Sequence, residues 1–185
     1  MTDPVLIAQR TCYASPRFRL ADETFATDAG SVERPVIHHP GAVAIIAQPE
    51  PGTILLVRQY RYPIRRWTVE IPAGTRVPGE ASVATAQREL AEEAGLRAAR
   101  LIEIGRFFPA LGVSDEEMIV YRASGLEPAI ASPDHGELIG PQITRIEDLA
   151  RLRASGSLCD AKTLLALAWL GLLSPFPTPL HAMNP

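Results

Sequence analysis

Cysteine is scarce in this chain: Cys12 and Cys159 stand far apart and match no metal-ligand spacing. A disulfide framework, the device of short secreted chains, is thereby excluded, and both thiols are expected to stay reduced in a cytoplasmic protein. An excess of charge of one sign is missing too. The 18 Lys and Arg against 21 Asp and Glu leave a net charge of −3, without the basic surplus that a phosphate backbone demands, so nucleic acid is not an expected partner. Long apolar runs are absent: the longest, 164–173, falls well short of the roughly 20 residues needed to cross a bilayer. The opening residues MTDPVLIAQRT carry neither a basic segment nor a long apolar one, so no export signal is expected.

What remains is an ordinary globular composition. In 185 residues, 46% hydrophobic content suffices for the core of one compact domain. Runs rich in β-formers at 17–27, 36–39, 42–47 and 53–60 predict strands of a mainly antiparallel N-terminal part, the last three separated by Gly and Pro. Pro78-Gly79 marks a turn, and the Ala-, Leu-, Glu- and Gln-rich stretch from Ala81 to Ala94 predicts a helix closed by Gly95. Further strands are expected at 99–108 and 117–123. A second helix is expected from Asp160, its N-cap, to Leu172. Strands flanking two helices indicate an α+β fold or α/β/α sandwich. The chain divides into an N-terminal strand region, 1–40, a main domain, 41–174, and a Pro-rich tail, 175–185.

Chemistry concentrates in the first helix. At about 100° per residue, Val83, Ala84, Gln87, Leu90, Ala91 and Ala94 gather on one stripe, while Glu89, Glu92 and Glu93 fall opposite and are expected to face away from the core. Three carboxylates so close repel one another, and Arg88, four before Glu92, relieves only part of that cost. A solvated charged face is one reading. The other is an oxygen-ligand site for a hard divalent cation such as Mg²⁺ or Mn²⁺, whose charge would cancel the repulsion and polarise a phosphate.

Nine positions across 74–96 then fall into one pattern: Gly74, Glu80, Arg88, Glu89, Leu90, Glu92, Glu93, Gly95 and Leu96. This segment resembles the Nudix box at every specified position. The flanking segments VRQYRYP (57–63), VEIPAG (69–74), GVSDE (112–116) and DAKTLLAL (160–167) look most like the ADP-ribose pyrophosphatase branch of that family. The resemblance implies a Nudix fold, an α/β/α sandwich with a mixed sheet and a small N-terminal antiparallel sheet. It further implies a hydrolase that cuts the diphosphate of ADP-ribose, giving AMP and ribose 5-phosphate, or of a related nucleotide sugar such as GDP-mannose. By the same resemblance Glu89, Glu93 and the carbonyl of Ala73 would hold Mg²⁺ or Mn²⁺. Glu92, Glu93, Glu137 and Arg88 would carry catalysis, with Glu80 helping Arg88 to orient the carboxylates. Arg61, Glu70, Ser114 and Glu116 would lie at the substrate. Relatives are homodimers that exchange N-terminal strands. Some Nudix domains sense nucleotide sugars without cleaving them, but the intact glutamates argue against that here.

Residue by residue, alternatives stand beside these roles. Arg61 belongs to a basic run with Arg58, Arg65 and Arg66 that suits either phosphate or solvent. Tyr60, Tyr62 and Trp67 could stack on a base or pack in a core or interface. Glu70 lies in an apolar strand, where an unpaired carboxylate is costly, so a metal or arginine partner is expected. The histidines His38, His39 and His135 have no common ligand spacing and receive no role. One position departs from the branch: Leu111 stands where a proline is usual, sixteen residues past Gly95, which leaves GDP-mannose and other nucleotide sugars within the same frame.

Overall fold

The computed structural model describes residues 2–130, 136 and 138–173. Among these residues ten strands and three α-helices follow one another as β1 (Val5–Ala14), β2 (Arg19–Thr27), β3 (Gly30–His38), β4 (Ala42–Ala47), β5 (Thr53–Arg61), β6 (Arg66–Glu70), β7 (Ala73–Thr75), α1 (Ser82–Ala94), β8 (Leu96–Phe107), β9 (Met118–Pro128), β10 (Ile139–Arg145), α2 (Leu149–Ala154) and α3 (Ala161–Trp169). They form three sheets, ordered β1-β2-β3, β10-β5-β6 and β7-β4-β9-β8. The β4–β9 pair is parallel and the pairs β4–β7 and β8–β9 are antiparallel, so the central sheet is mixed.

The sequence of β4, AVAIIA, explains why helices lie on both sides of that sheet. All six residues are buried, and with side chains alternating along a strand they serve two cores. Ala42, Ala44 and Ile46 join Ile54, Leu56, Ile71, Val120, Leu149, Ala166 and Leu167 in one. Val43, Ile45 and Ala47 join Leu55, Ala86, Leu90, Ala94, Ile119 and Tyr121 in the other. A strand buried on both faces reads as an uninterrupted apolar run rather than an alternating one. The helix α1 therefore covers one face while α2 and α3 cover the opposite one, which is the α/β/α arrangement expected.

The expected strands appear, several of them longer than their apolar runs, because backbone pairing continues past the apolar residues. Strand β1 was not foreseen: all ten of its residues are exposed, so it lacks the buried alternation that marks a strand, and its pairing to β2 holds it. The short strand β7 and the edge strand β10 were also unanticipated. Of the expected helix 160–172, the segment Ala161–Trp169 is helical, with the Asp160 carboxylate accepting from the Thr163 N–H at 3.0 Å. Gly95 ends α1 at φ 64°, a left-handed conformation natural to glycine. The Pro-rich tail 175–185 lies outside the described residues. Among the described residues no helix is long and apolar enough to cross a membrane.

Candidate active site

Helix α1 carries two adjacent buried stripes rather than one. Ala86, Leu90 and Ala94 meet the central sheet, and Thr85, Glu89 and Glu93, each four residues from the next, are also buried. Val83 and Ala84, expected in the core, are exposed. The expectation that Glu89, Glu92 and Glu93 all point to solvent is thus corrected: Glu89 is 8% and Glu93 7% exposed, while only Glu92 is partly open. The cause is β7, which pairs with β4 and runs beside α1, giving the helix a second partner that a one-sided projection omits. Against β7, Glu93 Oε2 accepts from the Ala73 N–H at 3.0 Å. A Cβ on Gly74 would lie 2.0 Å from Glu89 Cδ, so only glycine lets the strand pass this close to the carboxylate.

Arg88 is the hub of the acidic cluster. Its guanidinium lies 2.7 Å from Glu89, 2.9 Å from Glu92 and 3.5 Å from Glu80, and it donates to the Thr75 carbonyl at 3.3 Å. Burial disfavours the charged guanidinium, but the three carboxylates outweigh it and raise the pKa of Arg88. Glu80 accepts from the Thr85 hydroxyl at 2.8 Å, and that bond lowers its pKa. The segment that matches the Nudix box is one bonded unit in which Arg88 sets the directions of Glu80, Glu89 and Glu92.

These groups border a cleft of about 520 Å³ whose walls include Arg61, Ala73, Gly74, Arg88, Glu89, Glu92 and Glu93. Pro16 and Arg17, in the turn between β1 and β2, close its rim from the N-terminal sheet. A smaller lobe of about 270 Å³ shares Arg61, Ala73, Gly74 and Thr75 and adds Glu116, Asp160 and Lys162.

Glu70 occupies a different place from the one expected. It is 1% exposed and lines neither lobe; Arg61 grips it through two bonds of 2.8 and 2.6 Å, Thr68 Oγ1 donates to it at 2.7 Å, and Lys162 pairs with it from the start of α3. Burial alone would raise its pKa, yet the Arg61 hydrogen bonds and the Lys162 charge prevail and hold it at about 2. Glu70 is therefore a buried anchor that fixes Arg61 and Lys162 at the cleft wall, and the arginine partner is the alternative realised. Lys162 escaped the sequence reading although its segment, DAKT, did not; lysine is almost never buried unless paired, and its partner is 92 positions away.

Ser114 and Glu116 are brought near the site unequally. Glu116 lines the smaller lobe, whereas the Ser114 hydroxyl accepts from the Glu116 N–H at 3.1 Å and shapes the loop. His38 holds that loop to the N-terminal sheet, its ring 2.8 Å from Glu23 and 2.7 Å from Asp115, and the Ile37 N–H donates to the Val113 carbonyl at 2.8 Å. Tyr62 and Trp67 each pack edge to face against Tyr60 outside the cleft, with the Arg58 guanidinium 4.0 Å from the Trp67 ring. Glu137 and His135 lie outside the described residues.

Among the described residues no three His, Cys, Asp or Glu side chains converge as a self-sufficient metal cage. A smaller donor set fits better. Glu89 and Glu93 lie four apart on one stripe beside the Ala73 backbone, an all-oxygen set of the kind that binds a divalent cation through one or two carboxylates and leaves its other positions to water and phosphate.

A family model described as NUDIX domain matches residues 37–167. The chain is 38% identical over 142 residues to the ADP-ribose pyrophosphatase of Bacillus subtilis (strain 168), spanning 76% of this chain and 77% of that protein. It is 32% identical over 153 residues to the methanol dehydrogenase activator of Bacillus methanolicus, spanning 82% and 83%. A solved structure described as the crystal structure of ADP compounds hydrolase superposes with a TM-score of 0.76 at 21% identity, over 92% of this chain and 94% of that one; at that identity the likeness speaks for the fold.

Proposed function

The chain belongs to the NUDIX family and is a hydrolase of pyrophosphate bonds, and from this premise we propose that it cleaves the diphosphate of ADP-ribose, or of a closely related nucleoside diphosphate sugar, yielding AMP and ribose 5-phosphate in the first case. The observation that carries the reading is the cleft of about 520 Å³ in which Glu89, Glu92 and Glu93 share one space with Arg61 and Arg88. Its volume lies in the range of small-molecule sites. The smaller lobe, joined to it at Arg61 and Gly74, gives room for a substrate with a group on either side of its diphosphate.

Glu89, Glu93 and the Ala73 carbonyl would hold Mg²⁺ or Mn²⁺, which when bound supplies charge neutralisation and a more acidic water. Arg61, oriented by Glu70, offers N–H donors to a phosphate oxygen. Arg88 bonds Glu89 and Glu92 and holds them in place. Since Glu92 Oε2 accepts from Arg88, Oε1 is left to take a proton from the attacking water, with Glu137 the alternative acceptor. Leu111 is 76% exposed and lines neither lobe, so replacement of the usual proline leaves the described walls as they are and gives no ground for preferring GDP-mannose.

The same reading includes a homodimer built through the N-terminal region 1–40 on the hydrolase domain 41–174. Val5, Leu6, Ile7 and Tyr13 are exposed on β1, and burying them against a second copy would remove them from water. A cytoplasmic site accords with the free thiols Cys12 and Cys159. The test of the whole is an activity screen over ADP-ribose, GDP-mannose, NADH and diadenosine polyphosphates with Mg²⁺, reading phosphatase-accessible phosphate. ADP-ribose should turn over fastest; release from none of them would overturn the proposal and favour a sensing module.

A further inference from the structure

Gln59 precedes Arg61 by two positions on β5, so both side chains leave the strand on one face, and both line the main cleft. Gln59 is 9% exposed, yet among the described residues its Nε2 has no hydrogen-bond acceptor. Buried side-chain donors are nearly always paired, and an exception calls for a reason. Its neighbours Thr68 and Glu70 bond elsewhere. Thr68, opposite Gln59 on β6, has its hydroxyl directed to the Gln59 carbonyl at 3.3 Å and to Glu70 at 2.7 Å. Glu70 itself is engaged by Arg61 and Lys162. The protein thus holds a dehydrated amide donor at the wall of an anion-binding cleft and leaves it unmet by its own groups.

We propose that Gln59 is a substrate-binding residue whose side-chain NH₂, covered in the structure, turns towards the cleft and donates to a phosphate oxygen of the bound diphosphate, next to the oxygen held by Arg61. The inference rests on the diphosphate reading above and adds a residue to it. A neutral donor suits this position: it meets a non-bridging oxygen without adding a second full charge beside Arg61, and its ligand replaces the water lost on burial.

Two variants test it, Gln59→Met and Gln59→Glu, with kcat, KM and melting temperature measured on the full chain with Mg²⁺ and ADP-ribose. Met keeps the volume and removes the donor; kcat/KM should fall about tenfold to a hundredfold, while the melting temperature stays level or rises because an unpaired polar group has gone. Glu should fall further than Met, since its carboxylate would face the phosphate. A kcat/KM for Gln59→Met within twofold of wild type, or Gln59→Glu no worse than Gln59→Met, would overturn the inference; so would a lowered melting temperature in the Met variant, the mark of a structural role. If the wild-type chain cleaves no nucleoside diphosphate compound, the parent reading falls. Calorimetric binding of the methylene-bridged analogue of ADP-ribose then judges Gln59 by itself: tenfold weaker binding by Gln59→Met supports it, and equal binding or none to wild type refutes it.

Discussion

Replacing Glu70 by Gln keeps the shape of the buried side chain and removes its charge, and the structure fixes what that costs. The carboxylate is 1% exposed, held by Arg61 and Thr68, and paired with Lys162. Its pKa in the folded chain is about 2, against 4.5 for the unperturbed group. That difference, at roughly 1.4 kcal/mol per unit, amounts to about 3 kcal/mol of stability at neutral pH. Because the folded pKa is depressed, the contribution is complete above the unfolded value and drains away as pH falls from 4.5 towards 2. By pH 3.5 about 1 kcal/mol of it is lost. Removal of the charge leaves the buried Lys162 with Asp160, 2.9 Å away, as its remaining counterion, which keeps the cost below the about 3–5 kcal/mol of a buried charge left fully unpaired. Urea denaturation of wild type and Glu70→Gln at pH 7 and pH 3.5 should therefore show a gap of about 3 kcal/mol at pH 7 that narrows by about 1 kcal/mol at pH 3.5. Groups that titrate alike in both proteins cancel in the difference. A gap below about 1 kcal/mol at pH 7, or one that does not change with pH, would refute the ionised, doubly paired Glu70.

Three further substitutions separate chemistry from folding. Glu93→Gln retains an oxygen for the Ala73 N–H but loses the charge of a cation ligand; turnover of ADP-ribose should drop by about 100-fold or more while the melting temperature moves by only a few degrees, and near wild-type activity would sink the assignment. Gly74→Ala places a Cβ 2.0 Å from Glu89 Cδ, so β7 or the carboxylate must move; activity should collapse, and a variant of normal kcat/KM would show that the close approach is dispensable. Leu90→Ala empties a site that is 0% exposed between α1 and the central sheet, and the denaturation midpoint should report a loss of about 2–5 kcal/mol.

Part of this protein is determined locally and was readable as a string. The nine box positions fix residue types at fixed spacing along a loop and helix, where residues four apart on the helix are neighbours in space, so Arg88 could be placed with Glu92 before any fold was known, and Glu80 joined them through the resemblance. Gly95 and Asp160 likewise act within one turn of their own helices. The uninterrupted apolar run of β4 identified a strand, although only the packed sheet reveals that its two faces feed separate cores.

Long-range pairing decided the rest. Glu89 and Glu93 are buried because β7, paired with β4, passes beside α1, a contact that no periodicity within the helix contains. Glu70 became an anchor rather than a wall of the cleft because Lys162, 92 positions later, arrives at its carboxylate. Gln59 acquired meaning only when its buried amide nitrogen proved unpaired among the described residues. The sequence by itself determined the residue types of the cluster and their spacing on one helix, since those follow from local geometry; the tertiary structure decided which of its charges are dehydrated, because dehydration depends on what the remainder of the chain packs against them.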